Sequence, residues 1–140
     1  MSTKEAIQAA ALSISKGGVI LCPTDTIWGL SADAQNFKAV NKIFEIKKRP
    51  AQKSMIVLVS SLEMLQAYVS EIPTVALNLM AKATRPTSII YPKGIKLAKN
   101  VTAKNGSVAI RLVKHGVCHK LIQHLGYPIV SSSANLSGEA

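Results

Sequence analysis

Three polar segments interrupt apolar runs, and each carries side chains that could do chemistry. In Pro23-Thr24-Asp25-Thr26-Ile27-Trp28-Gly29-Leu30, two hydroxyls and a carboxylate stand beside an aromatic wall, Trp28. Gly29 there allows close backbone approach. The same composition suits a strand-to-helix connection with capping side chains. Residues 47–53 hold Lys47, Lys48, Arg49 and Lys53 around Pro50. Such a cluster suits a polyphosphate; it also reads as a helix end whose cations complement the macrodipole. Residues 131–137 form a hydroxyl-rich run with Asn135, although Ser/Asn loops also cap helices.

Other chemistry finds little footing. There is no Walker P-loop, GxGxxG, GxSxG or HExxH pattern, and no paired-carboxylate signature. His115 and His119 stand four apart, a spacing that suits a metal on a helix, but no acidic residue lies near them; no protein-held metal is expected. With seven acidic residues in 140, an enzyme here would work by positioning and electrostatics rather than by a protein nucleophile. The formal net charge of +10 favours polyanionic or phosphate-bearing partners, and it also serves solubility. Fourteen of the 17 cations are lysines, so the three arginines, Arg49, Arg85 and Arg111, are the candidates for bidentate recognition.

The elements that must position these groups can be read from apolar spacing. Ile7, Ala10, Ala11 and Ile14 form a helical stripe after a Ser2/Glu5 capping box, and Gly17-Gly18 stops it. Residues 19–22 read as a buried strand running into the first polar segment. Asn36 can cap a helix with Val40, Ile43 and Phe44 inside, ending at the basic cluster. Residues 55–59 are a second strand, and Ser60 with Glu63 is a capping box for a helix through Leu62, Leu65 and Val69. Ala76, Leu79, Met80 and Ala83 give a further helix face. Residues 87–91 and 107–112 read as strands, separated by the lysine-rich, irregular stretch 94–105 and the Asn105-Gly106 turn. Cys118, Leu121, Ile122 and Leu125 make the last helix, ended by Gly126, and residues 129–131 the last strand.

The sum is a single α/β (α+β) domain with a mixed sheet, long enough to bury roughly two-thirds of its unfolded surface. Alternating strands and helices suggest crossovers, while the short step across residues 94–105 argues for antiparallel pairing. No apolar run reaches the ~18 residues of a membrane helix, and Lys4, Glu5 and Gln8 exclude a signal peptide. Cys22 and Cys118, far apart in sequence and without a CxxC, are expected as reduced thiols in a cytoplasmic protein.

Taken together, the first motif, then Lys47-Lys48-Arg49-Pro50, then Ser107-Val108-Ala109-Ile110-Arg111, then Pro128-Ile129-Val130-Ser131-Ser132-Ser133-Ala134-Asn135-Leu136-Ser137-Gly138, resemble the YrdC/Sua5 family in order and spacing over essentially the whole chain. The resemblance implies a twisted sheet with a concave basic surface. It implies a nucleotidyltransferase that makes threonylcarbamoyl-adenylate from L-threonine, bicarbonate and ATP with Mg²⁺. Downstream proteins would then move the threonylcarbamoyl group to tRNA. It places Lys47, Arg49, Ser133 and Asn135 around the ATP phosphates as the catalytic set, and Ser107 against ATP. Thr24, Arg111 and Ser131 would hold threonine, with Arg111 on its carboxylate. The polar loop after the last strand is expected at the carboxyl edge of the sheet, where α/β folds place ligands.

The chain departs from the family pattern at Trp28, where Tyr or Phe is usual, and at Leu58, where a histidine is often found. In Thr84-Arg85-Pro86-Thr87-Ser88 one proline and a glycine of a Pro-Gly-Pro-x-Thr stretch are gone. Family members run further past the Ser-x-Asn motif, with a serine and an arginine for ATP. The expectation is therefore a YrdC-like domain over residues 1–140 that is C-terminally incomplete and turns over weakly or not at all. Two other classes remain. One is a non-catalytic module binding tRNA or double-stranded RNA through phosphates, for which few aromatics are needed. The other is a carbamoyl-adenylate domain of a hydrogenase-maturation protein, against which the lack of flanking zinc-finger cysteines argues.

Overall fold

The structure, a computed structural model, describes residues 3–23, 28–47 and 55–133. The first helix, α1 (Thr3–Ser15), buries Ile7, Ala11 and Ile14 as its stripe predicts. Gly17 ends it at φ 86°, a left-handed turn that glycine adopts without a Cβ clash. The Ser2 capping box lies outside the described residues. Strand β1 (Ile20–Pro23) follows, and then an element that the sequence reading does not contain, β2 (Trp28–Asp33). Pro23 pairs with Trp28 and Ile20 with Ser31, so the first polar motif joins two antiparallel strands, not a strand and a helix.

Helix α2 (Phe37–Lys47) is capped as expected, with the Ala39 amide donating to Asn36 Oδ1 at 3.1 Å. After β3 (Ile56–Val59), helix α3 (Leu62–Tyr68) starts one residue later than its expected box. Ser61 is the cap, accepting from the Met64 amide at 3.1 Å, while Ser60 is buried. In α4 (Thr74–Lys82), Ala76 and Met80 face inward, but Leu79 is exposed. Strands β4 (Ser88–Tyr91) and β5 (Val108–Leu112) flank the irregular lysine-rich stretch, pinned by Gly106 at φ 89° and by the Ser107 amide donating to Asn105 Oδ1. Helix α5 (Gly116–Leu125) ends at Gly126, φ 80°, as its spacing predicts. The final strand, β6 (Ile129–Ser133), runs two serines beyond the expected residues 129–131. No helix of the described residues is long and apolar enough to cross a membrane.

The sheet order is β1-β2-β6-β3-β5-β4. β3 and β5 run parallel, joined by the crossover the alternation predicts; the other neighbours, including β4 with β5, are antiparallel. Because side chains alternate, one face carries Ala32, Val57, Val59, Val108, Ile110 and Val130 into a core with α2 and the buried residues of α3 and α4. The other carries Cys22, Leu58 and Ile129 against Ile7, Ala11 and Ile14 of α1 and Leu121 and Ile122 of α5. Each fully buried Leu or Ile there contributes about 2 kcal/mol.

Candidate functional site

Strand register on the α1/α5 face sets out the site in rows. Ser31, Ser131, Ile56, Ala109 and Ile90 lie across the sheet in one row, and Asp33, Ile129, Leu58, Arg111 and Ser88 in the next. α1 and α5 cover the part of this face between β1 and β3. Towards β5 and β4 the cover ends: Ile90 is 73% exposed, and Ala109 and Arg111 are only partly buried. Arg111 therefore stands where the helical layer stops. Its Nε donates to Ser88 Oγ at 3.0 Å, across the same row on β4. Ser88, a neighbour across 23 residues, has no signal in the sequence.

Close approach at Gly29 shapes the other side. A Cβ there would collide with Ser131 Oγ and would lie 3.1 Å from the Ser132 carbonyl oxygen. Glycine is thus required for the Ser131 hydroxyl to rest over β2. Ser31, fully buried, donates from Oγ to the Gly29 carbonyl at 3.4 Å, a long contact. Trp28, next in chain, is 56% exposed, so its ring can form a wall open to a ligand.

The described ends of the first, third and fourth motif segments lie at one end of the sheet. β1 ends there at Pro23, β2 begins at Trp28, β6 ends at Ser133, and β3 and β5 both begin there, the latter just after Ser107. This is a carboxyl end for β1 and β6, as expected of the polar loop, but the amino end of the parallel pair. The carboxyl-edge rule for parallel sheets is therefore not what gathers the site; the antiparallel insertion of β6 beside β3 is. Lys47 is the last residue of α2 and is buried. A buried ammonium at a helix C-terminus gains from the macrodipole. Thr24, Arg49 and Asn135 lie outside the described residues, as does the side chain of Ser133. Of the expected set, Arg111 and Ser131 lie on one face of the sheet, Ser107 and the Ser133 backbone at its end, and Lys47 in the helical layer behind.

At the far end of β2, burial pushes the Asp33 carboxyl up, against the Gln35 amide that donates to it. Burial and the Asp33 charge push the Tyr68 and Tyr127 phenols up in turn. His119 Nδ1 hydrogen-bonds the Val113 carbonyl at 2.7 Å, and His115 is the N-cap residue of α5.

A family profile described as "Telomere recombination", covering Sua5, YciO and YrdC, matches residues 13–140. The chain belongs to the YrdC/Sua5 family. It is 35% identical over 136 residues to a threonylcarbamoyl-AMP synthase of Xanthomonas campestris pv. campestris, across 95% of this chain and 73% of that one. The structure of Pyrococcus abyssi Sua5 complexed with L-threonine superposes with a TM-score of 0.91 at 34% identity, across 99% of this chain and 41% of that one. HypF in its phosphate- and nucleotide-bound form gives a TM-score of 0.84 at 24% identity, across 96% of this chain and 21% of that one, a likeness of fold alone.

Proposed function

We propose that this YrdC-like unit, residues 1–140, is a threonylcarbamoyl-AMP synthase of the cytoplasm that serves threonylcarbamoyladenosine modification of tRNA. One observation supports the reading: the described ends of the first, third and fourth motif segments lie at one sheet end, in a fold that superposes on a threonine-bound Sua5. Threonine's amine would add to CO₂ drawn from bicarbonate, and the carbamate oxygen would attack the α-phosphorus of ATP as pyrophosphate leaves. Charge then develops on phosphate oxygens, so the protein's task is to orient and neutralise. Arg111, steadied by Ser88, would take the threonine carboxylate, and Ser131 and Thr24 would line its pocket. Lys47, Arg49, Ser107, Ser133 and Asn135 would hold ATP. Mg²⁺ would arrive as part of the MgATP substrate, bound by phosphate oxygens.

The test uses protein in excess over ATP, so that one slow turnover is visible, with ¹³C-bicarbonate and L-threonine. The expected product is an adenylate carrying both threonine and the label. A second mixture with ¹³C-carbamoyl phosphate in place of bicarbonate and threonine tests the carbamoyl-adenylate reading: a labelled adenylate there and none in the first would favour it, and no labelled adenylate in either mixture would overturn both.

A further inference from the structure

Cys22 and Cys118 are 96 residues apart in sequence and neighbours in space. Both are buried free thiols, at 3% and 1% exposure, in the same small core between β1, α1 and α5. The Cys118 thiol hydrogen-bonds to Cys22, which brings the Cys22 thiol below the ordinary cysteine range although burial opposes the shift. Cys22 also lines a cavity of about 380 Å³ with Ile7, Pro23, Trp28, Val117 and Leu121. Cys118 is not among the residues lining it, so the cavity borders Cys22 and not Cys118.

We propose that Cys22 and Cys118 are a redox-modification site, closing to an intramolecular disulfide when a hydroperoxide reaches Cys22. The Cys22 thiolate attacks the peroxide oxygen; the O–O bond breaks, a sulfenic acid forms and hydroxide leaves, or an alkoxide from an organic hydroperoxide. The Cys118 sulfur then attacks the Cys22 sulfur. The S–S bond forms, the S–O bond breaks, and the sulfenic oxygen leaves with the Cys118 proton as water. Two electrons pass from the thiols to the peroxide. The bond ties the end of β1, two residues before Thr24, to the first turn of α5. Any effect on threonine binding rests on the proposed function; the disulfide does not.

Folded wild-type protein is treated with hydrogen peroxide, quenched, and mapped by non-reducing peptide mass spectrometry, with thiols counted after unfolding. The expected result is a monomer lighter by two hydrogen atoms, a Cys22–Cys118 cross-linked peptide, and loss of both thiols together. Cys118→Ala should carry Cys22 on to sulfenic and sulfinic acid, whereas Cys22→Ala should leave Cys118 unmodified under the same treatment. Retention of both thiols in the folded protein, cross-links only between molecules, or modification of Cys118 ahead of Cys22 would each overturn the proposal.

Discussion

Arg111 and Gly29 show how single residues shape the candidate site by different means. The guanidinium acts through charge and a fixed direction, set by Ser88. Gly29 acts through the side chain it lacks. Gly29→Ala would force the Ser131 hydroxyl off its place and press a methyl against the Ser132 carbonyl, which cannot rotate away. The expected loss is about 1–3 kcal/mol of stability, as for other overpacked sites, read from the midpoint of chemical denaturation; an unchanged midpoint would refute the close approach. Asp33 makes a third case. Its folded-state pKa is raised, so the native form keeps a proton that the unfolded chain has already released. Stability must fall as pH rises from the unfolded carboxylate range through the raised value, and it stays lower above. Asp33→Asn keeps the acceptor for the Gln35 amide. It should be more stable than wild type at neutral pH and level with it at about pH 3, below the ordinary aspartate range. Denaturation at the two pH values measures the difference, and a variant equally shifted at both would contradict the assignment.

Among the elements, α3 offers the plainest measurement of a local choice. Two adjacent serines precede it, and either can serve as cap by sequence alone. The phase is decided by Leu65, which must point into the core, and this leaves Ser61 at the cap and Ser60 buried. Ser61→Ala should cost about 1 kcal/mol, seen as a lowered thermal midpoint, and Ser60→Ala should not remove that hydrogen bond. The same contrast explains which elements are readable in the sequence. α5 announces itself through Cys118, Leu121 and Ile122 at helical spacing and a glycine at its end. β2 does not, because its buried positions are Gly29, Ser31 and Ala32, small residues that lack the β-branched signature of a strand. It forms because β1 and β6 pair with both its edges. The two serines that lengthen β6 are strand for the same reason, facing Leu30 and Gly29 of β2.

At the scale of the whole molecule, the order in which strands pair creates the candidate site. Each motif is visible in sequence, yet the approach of Trp28, Ser107 and the Ser133 backbone at one sheet end is not, since β6 is the last strand in the chain and inserts between β2 and β3. The lysine excess is likewise a property of the whole. If the protein binds tRNA, its affinity should fall steeply with added salt, because lysine–phosphate contacts release counterions. A filter-binding series at rising salt tests this, and a flat response would exclude a phosphate-led contact. The central claim, that this chain carries the family's threonine site on the strip beside β5, is tested most directly by calorimetric titration of L-threonine into the 140-residue protein and into Arg111→Ala. Saturable binding by the wild type is predicted, weakened in the variant by about 2 kcal/mol or more, the worth of a charge-assisted contact, with the fold retained by circular dichroism. No binding by the wild type, or equal affinity in Arg111→Ala, would contradict it.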